Sequence, residues 1–258
     1  MNKIQQLIQQ YCPNGVEFKG FGDVCMSLKK GTLKTGELKD EGKYPVMHSG
    51  RAHYGKYNEF NNEGNAITIA ARGEYAGFVN YFSERFWAGG LCYPYTSKDE
   101  NFALTKFIFF VLKEKEQYIR ETLVTRGSIP ALNKSDIDKY LIPVPPLPIQ
   151  QEIVSILDKF TTLEAELEAE LEARRAQYNY YRNQLLNFEG KEVEWKTLNN
   201  ISINLDSKRK PVRGSDRVAG KYPYYGASGI VDYVSEYIFD GDYLLVSEDG
   251  ANLLTRNT

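Results

Sequence analysis

The order of apolar and polar residues predicts a mixed α/β domain in the first 147 positions. Residues 66–73, AITIAARG, form a short apolar run with β-branched members and a closing glycine, which is typical of a buried strand. Residues 77–82, GFVNYF, also have strand character. Residues 101–123 place apolar and charged side chains on opposite sides of a helix, for which Asn101 is the expected N-cap.

The segment at 127–158, GSIPALNKSDIDKYLIPVPPLPIQQEIVSILD, predicts a rigid junction that leads into a long helix. Ser135 and Asp136 suit the beginning of a short helix that ends before the prolines. The prolines at 143, 145 and 146 restrict the backbone to extended geometry. Pro148 fits the first turn of a new helix, where its missing N–H is not needed.

We expect the new helix to run from about 149 to 188, a length of roughly 60 Å at 1.5 Å per residue. Its apolar seam advances in steps of three and four residues and is interrupted by Glu164 and Arg174. The seam consists of Ile153, Leu157, Phe160, Leu167, Leu171, Tyr178, Tyr181, Leu185 and Phe188. A domain of about 150 residues is only roughly 30–40 Å across. Pairing with another long helix is therefore favoured over the simpler alternative, a helix lying on its own domain.

An internal repeat relates the two ends of the chain at an offset near 177 residues. The sequence VEFK at 16–19 matches VEWK at 193–196, and GKYP at 42–45 matches GKYP at 220–223. Further matches follow in the same order, including GNAI against GDYL, so we infer a tandem duplication. By this correspondence DYLLVSEDG, at 242–250, is a predicted strand followed by a tight turn.

The repeat divides the chain into three predicted domains: a first unit at 1–147, a helical spacer at 148–190 and a second unit at 191–258. Thr258 corresponds to about residue 81 of the first unit. We therefore expect a second unit that is truncated at its C-terminal side, leaves strand edges unpaired and is marginally stable.

Composition narrows the class of protein. Of 258 residues, 42% are hydrophobic, which is enough for a real core, and the net charge is −2. Residues 1–148 have a net charge of +3, residues 149–190 of −4 and residues 191–258 of −1. This near balance argues against a polyanion binder that ignores sequence. Three cysteines without ligand spacing, and no signal-peptide or membrane pattern, predict free buried thiols in a cytoplasmic protein.

Enzyme motifs are not found. GELKDEGKY at 36–44 has the wrong glycine spacing for a phosphate loop and places Tyr44 where Ser or Thr would meet magnesium. GRAHYG at 50–55 lacks the spacing of a dinucleotide site. His48 and His53 lack a further ligand at metal-binding spacing, so loop polar groups are favoured over a metal pair. We expect no catalytic residue, no metal and no cofactor.

Candidates for nucleic-acid contact lie in loops next to predicted strands. Basic and hydrogen-bonding side chains there can reach phosphates or base edges, although a solvated surface role is an alternative for each residue. A lysine pair in the first unit has a basic counterpart in the second, which supports the set as a whole. The candidates are Lys29, Lys30, His48, Arg51, His53, Tyr54, Lys56, Arg72, Arg126, Ser128, Lys208, Arg209 and Lys210.

Residues 127–158 resemble the end of a target-recognition domain and the following helix in specificity subunits of type I restriction-modification systems. CPNGVEFKGFGDVC at 12–25 and GKEVEWKTLNNI at 190–201 resemble the beginnings of such domains. The resemblance implies a recognition domain with a twisted mixed β-sheet and helices, then a coiled-coil-type helix and a partial second recognition domain. It also implies that each recognition domain reads half of a split double-stranded DNA site.

In this family, paired helices are expected to form an antiparallel coiled coil that sets the spacing and docks methyltransferase subunits, and through them the restriction subunit. The chain has one such helix, so we expect a homodimer or pairing with another specificity polypeptide through Ile153, Leu157, Phe160, Leu167, Leu171, Tyr178, Tyr181 and Leu185. The alternatives are a regulatory or inactive fragment that competes for methyltransferase subunits, and the recognition module of a fused restriction-methylation enzyme.

Overall fold

A computed structural model describes residues 3–39, 41–227 and 229–247. The chain forms two compact units, Met1–Tyr181 and Arg182–Thr258. In the described ranges, no helix combines the length and the apolar character that a membrane span requires.

The first unit is built from short strands and helices. Its strands are β1 Phe18–Gly20, β2 Cys25–Ser27, β3 Tyr44–Met47, β4 Gly55–Tyr57, β5 Ala66–Ala70, β6 Val79–Phe82, β7 Trp87–Ala88, β8 Cys92–Ser97, β9 Val124–Thr125, β10 Ala131–Leu132 and β11 Leu141–Pro143. Its helices are α1 Lys3–Tyr11, α2 Phe21–Val24, α3 Thr105–Glu114, α4 Glu116–Thr122, α5 Lys134–Asp138 and α6 Leu147–Leu185, of which α6 continues into the second unit. The mixed α/β class is thereby confirmed.

Two sheets and two ribbons organise these strands. The larger sheet is antiparallel and has the order β2-β8-β5-β6. The smaller sheet has the order β4-β3-β7 and is mixed, because β3 pairs parallel with β7. Antiparallel ribbons join β1 to β11 and β9 to β10. Because β1 and β11 come from opposite ends of the domain sequence, their pairing closes the first unit just before the long helix.

The core lies around β5, whose five residues are all buried. Strands β6 and β8 flank β5, and α3 packs against both β5 and β6. Ile67, Ile69 and Ile108 belong to one buried cluster. The strand predicted at 66–73 is therefore confirmed for residues 66–70, and the strand-like segment at 77–82 forms β6.

The single helix predicted at 101–123 is wrong in two respects. The chain forms α3 and α4, separated at Lys115, whose ψ angle of 6° leaves the helical range. Asn101 is not the N-cap, because α3 begins only after Leu104, which has no side-chain cap. Two other side chains accept hydrogen bonds at the beginning of α3: the Leu104 N–H donates to Gln150 Oε1 at 2.8 Å, and the Thr105 N–H donates to Glu100.

Gln150 fastens the beginning of α6 to the first unit. Its side chain is fully buried, and its Nε2 donates to the carbonyl oxygens of Phe102 at 3.0 Å and Pro145 at 2.6 Å. Ile153 and Val154 pack against the core, and Lys106 pairs with Asp158 at 2.7 Å. The alternative of a helix lying on its own domain therefore holds for the first three turns of α6, and Ile153 is packed against its own core there.

Beyond Asp158 the apolar side chains of α6 are exposed. All of them except Tyr180 lie on one side of the helix. The exposed large side chains in this part are Phe160, Leu163, Leu167, Leu171, Tyr178, Tyr180, Tyr181 and Leu185. The structure thus leaves most of the predicted seam open to solvent.

The second unit contains α7, Leu198–Ile201, and an antiparallel hairpin of β12, Ala219–Gly226, with β13, Gly229–Val234. None of its described residues is buried. The strand predicted within 242–250 is wrong for residues 242–247, which form no strand, and residues 248–250 lie outside the described ranges. In the first unit the equivalent β5 is held between β6 and β8.

Candidate nucleic-acid interface

Lys29 and Lys30 follow β2 on an exposed loop that is held to the protein. The Lys29 carbonyl oxygen accepts a hydrogen bond from Asn62 Nδ2 at 3.0 Å. Lys30 Nζ donates to the Gly90 carbonyl oxygen at 3.1 Å and lies 5.0 Å from the centre of the Tyr93 ring. The ammonium group of Lys30 therefore already has partners in the protein.

The connection between β3 and β4 carries four of the candidates, and β4 itself carries a fifth, Lys56. Burial lowers the pKa of His48, whose ring lies 6.2 Å from that of Tyr54. A Cβ atom at Gly89 would lie 2.3 Å from His48 Nδ1, so only glycine fits beside this ring. Arg51, His53, Tyr54 and Lys56 are exposed.

Arg72 lies two residues after the end of β5 and is exposed. The loop around it is paired with the segment that carries Arg126 and Ser128, since Arg72 forms a β-bridge with Ala131. The Gly73 N–H also donates to the Pro130 carbonyl oxygen at 2.9 Å. Two loops that are far apart in sequence are thus held side by side.

Arg51 and Arg126 come together in a groove of about 550 Å³. This basic groove is lined by Arg51, Phe78, Lys113, Glu116, Gln117, Arg120, Glu121 and Arg126. Four cationic and two anionic side chains give its wall a net charge of +2. A cleft lined by one dominant charge concentrates counter-ions of the opposite sign.

Phe78 organises the cations of the basic groove. Arg120 Cζ lies 4.4 Å from the centre of its ring, and Arg51 Cζ lies 5.2 Å from it. Lys113 Nζ lies 5.6 Å from the same ring. Cations within about 6 Å of an aromatic ring are attracted to its negative face. Phe78 itself is buried, so it forms a fixed support for three positively charged groups.

The carboxylates of the basic groove do not satisfy its arginines. Glu116 accepts from Lys113 at 2.7 Å and from the Val79 N–H at 2.8 Å, whereas Glu121 accepts from Gln117 at 2.9 Å. Among the described residues, Arg51, Arg120 and Arg126 have no hydrogen-bond acceptor, and Arg120 Nε is buried without one. Buried polar groups normally have partners, so the geometry suits an anion that accepts from guanidinium groups, such as a phosphate.

Of the eight residues that line this groove, the sequence predicted two, Arg51 and Arg126, and not the other six. Phe78, Lys113 and Arg120 were not among the candidates. The sequence contained one signal for two of them. Lys113, Gln117 and Arg120 are spaced by about one helical turn, which places them on the same side of a helix. The break at Lys115 and the support from Phe78 depend on tertiary structure and have no local signal.

The remaining candidates lie elsewhere. In the described part of the chain, Lys29, Lys30, His48, His53, Tyr54, Lys56, Arg72 and Ser128 do not line the groove. Lys208, Arg209 and Lys210 are exposed in the second unit, where Arg209 pairs with Asp206.

Comparisons with known proteins agree with these features. Residues 13–173 match the family model described as the type I restriction modification DNA specificity domain. The specificity subunit of the type I restriction enzyme EcoR124I/EcoR124II of Escherichia coli is 35% identical over 183 residues, which are 66% of this chain and 43% of that protein. The EcoprrI specificity subunit, also of Escherichia coli, is 38% identical over 57% of this chain and 40% of that protein. The chain thus spans less than half the length of these relatives.

A solved structure supports the fold. The crystal structure of the type I restriction-modification S subunit from M. genitalium matches with a TM-score of 0.64, covering 86% of this chain and 63% of that one at 24% identity. At this identity the likeness concerns the fold alone. The family match over 13–173 includes the basic groove, the Gln150 junction and more than half of α6, and the chain belongs to the type I restriction modification DNA specificity domain family.

Proposed function

We propose that the chain recognises one half of a split double-stranded DNA site. The observation that carries the proposal is the basic groove, in which Arg51, Arg120 and Arg126 lack an acceptor among the described residues. A DNA phosphate supplies the missing acceptor, and guanidinium groups bind phosphates through two parallel hydrogen bonds. Phosphate contacts orient a protein on the duplex without reading bases.

The neighbouring exposed loops are suited to reading base edges. Arg72 and Ser128 lie on loops that the bridge to Ala131 holds together, and Tyr54 is exposed on the β3–β4 connection. Arginine reads guanine in the major groove, and hydroxyl groups hydrogen-bond to several bases. We assign backbone positioning to the basic groove and base contact to these loops.

The chain acts in this proposal as a non-catalytic subunit of a complex. Its partners are methyltransferase subunits and, through them, a restriction subunit, as expected for a specificity polypeptide. The exposed seam of α6 pairs with another long helix, from a second copy or from another specificity polypeptide. Three free, buried cysteines are in keeping with the reducing cytoplasm.

Selection of bound DNA tests the proposal. The purified chain, with its methyltransferase subunits, is incubated with a pool of randomised duplexes, and the retained DNA is sequenced. We expect one enriched motif made of two separated half-sites. If the pool stays random while the complex is intact, the chain does not specify DNA sequence.

Substitutions in the basic groove test the assignment of its arginines. The double variant Arg51→Ala/Arg126→Ala should bind the selected duplex about tenfold or more weakly, and its log-log salt dependence should be shallower by about one unit for each phosphate that is no longer bound. Lys139→Ala, an exposed cation away from the groove, is the matched control and should keep wild-type binding. Unchanged affinity and salt dependence in the double variant would assign the groove another role.

A further inference from the structure

The exposed part of α6 has a regular apolar seam with two charged interruptions. From Leu157 to Tyr181, one position in every three or four lies on the same face, as in the a and d positions of a coiled coil. These positions are Leu157, Phe160, Glu164, Leu167, Leu171, Arg174, Tyr178 and Tyr181. Of the eight, only Glu164 and Arg174 are charged, and they are of opposite sign.

We propose that a second copy of this chain packs antiparallel along α6, in the register that places Glu164 against Arg174 of the second copy. The inference rests on the helix pairing in the proposed function and keeps the antiparallel direction that the family resemblance implies. It adds the choice of a second copy as the partner, and the register. The two-fold axis of this dimer passes at Ala169, which lies midway between the two charged positions.

The same two-fold axis places the apolar side chains of the two copies opposite each other. Leu167 faces Leu171 of the second copy, Phe160 faces Tyr178, and Leu157 faces Tyr181. Each of these pairs, like the ion pair, occurs on both sides of the axis by symmetry, so together they fill the seam. One sequence therefore provides both halves of a matched interface.

Other arrangements leave charges unmatched. A shift by one heptad places Glu164 against Leu167 or Tyr181 of the second copy, which buries a carboxylate without a partner. A parallel dimer in register places Glu164 against Glu164 and Arg174 against Arg174. Removing one partner of a buried ion pair is strongly destabilising, and polar residues in a seam are known to specify register. The charged pair selects one arrangement by penalising the others.

The exposed surface of α6 can accommodate the helix of a second copy. Phe160, Leu163, Leu167 and Leu171 line a shallow depression of about 430 Å³ together with Glu164 and Glu168, and such depressions receive the side chains of a facing helix. Leu167 is 57% exposed, so the depression is open. Among the described residues, Arg174 hydrogen-bonds only within its own helix and at long distances, 3.4 Å to Glu170 and 3.3 Å to Gln177. Its guanidinium group can therefore turn towards a carboxylate on the second copy.

Charge reversal tests the register. Glu164→Arg and Arg174→Glu each turn attraction into repulsion on both sides of the axis, and each variant should dissociate at a concentration at least tenfold higher than the wild-type dimer. An equimolar mixture of the two variants restores attraction at both sites, so we expect a mixed dimer. The double variant Glu164→Arg/Arg174→Glu should return to within about threefold of wild type. Sedimentation velocity of the full chain between 0.1 and 50 µM, roughly the range in which such dimers dissociate, gives the dissociation constants.

Two further variants separate the register from the pairing itself. Glu166→Arg makes the same charge change off the seam and should keep the wild-type dissociation constant. Leu167→Glu/Leu171→Glu should abolish the dimer in any register while the first unit keeps its melting temperature.

The outcomes distinguish the pairing of α6 with a second copy from the particular register of that pairing. A wild-type chain that remains monomeric throughout the concentration range overturns both the pairing with a second copy and the register. A dimer that the leucine variant breaks but that neither charge reversal weakens overturns the register alone. Equal weakening by Glu166→Arg also overturns it, because the effect would then come from overall charge. Rescue in the mixture, together with an unaffected Glu166→Arg dimer, supports the proposed register.

Discussion

The two units share a sequence repeat but differ completely in burial. Phe21 and Ile67 of the first unit are 0% exposed, whereas their equivalents at an offset of 177, Leu198 and Leu244, are 63% and 81% exposed. Helix α2 nevertheless recurs as α7 at the same offset, Phe21–Val24 against Leu198–Ile201. Local structure follows the repeat, and burial does not.

The difference comes from the segments that cover the first unit. In that unit β5 is held between β6 and β8, and α3 packs against it. The described residues of the second unit include no segment equivalent to β8 or α3. An apolar segment is buried only when other helices or strands cover it and remove it from water. The sequence pattern therefore predicts an apolar face, but it does not show which element covers that face.

The largest expected effect is a difference in thiol reactivity between equivalent positions. Burial raises the pKa of Cys25 to about 12, which leaves about a thousandfold less thiolate at pH 8 than an ordinary cysteine has. Its equivalent, Ser202, is exposed. In a Ser202→Cys variant we expect the new thiol to react with iodoacetamide at least a thousandfold faster than Cys25, as measured by peptide mass spectrometry.

Labelling in denaturant is the control for this prediction. In guanidinium chloride both thiols should react at similar rates, since burial is lost. Equal rates in native buffer would contradict the difference in burial between the two units.

The next effect concerns stability. Ile67→Ala removes a fully buried side chain beside Tyr95 and Val79 and should lower the free energy of unfolding of the first unit by about 2–5 kcal/mol. The matched variant Leu244→Ala should change the free energy of unfolding of the second unit by less than about 0.5 kcal/mol, because Leu244 is exposed.

Tryptophan fluorescence during urea unfolding measures both variants. Ile67→Ala is measured in a Trp195→Phe background, in which Trp87 reports on the first unit. Leu244→Ala is measured in a Trp87→Phe background, in which Trp195 reports on the second unit. A cost for Leu244→Ala as large as that for Ile67→Ala would mean that the second unit is packed as closely as the first.

The smallest effect of the three tests the junction that distinguishes the first unit. Gln150→Ala leaves the Leu104 N–H and the Phe102 and Pro145 carbonyl groups without their partner. We expect a loss of about 2–3 kcal/mol in the free energy of unfolding, since unsatisfied buried groups cost about 1–3 kcal/mol each and partial relaxation recovers some of the loss. The exposed neighbour provides the control, Gln151→Ala, which should stay within about 0.5 kcal/mol. Urea unfolding measures both variants, and equal stability would show that the prolines alone hold the junction.

Much of the first unit followed from its sequence. The apolar run at 66–73 predicted β5, and the prolines before Pro148 predicted both the extended junction and the beginning of α6. The helix at 101–123 was predicted as one piece with a cap at Asn101 because a sequence pattern does not reveal tertiary hydrogen bonds. Gln150 accepts a hydrogen bond from the Leu104 N–H at the beginning of α3, and Glu116 accepts one from the Val79 N–H beyond the break.

The basic groove was only partly predictable for the same reason. Arg51 and Arg126 stood in loops, where exposed cations are easily recognised. Arg120 and Lys113 stood on a helix, where charged residues usually form the solvated face. They became part of a site because Phe78, on a separate segment, fixes their position.

The sequence by itself determined the repeat, the apolar periodicities, the rigid proline junction and the charged interruptions of the helix seam, since each is a property of local order along the chain. Tertiary structure alone decided which apolar runs are buried, where α3 ends, how Gln150 fastens α6 and which arginines share a groove. These features depend on contacts between distant segments, and the free energy of such contacts is set by the surface and the hydrogen-bond partners that each segment finds in the folded chain.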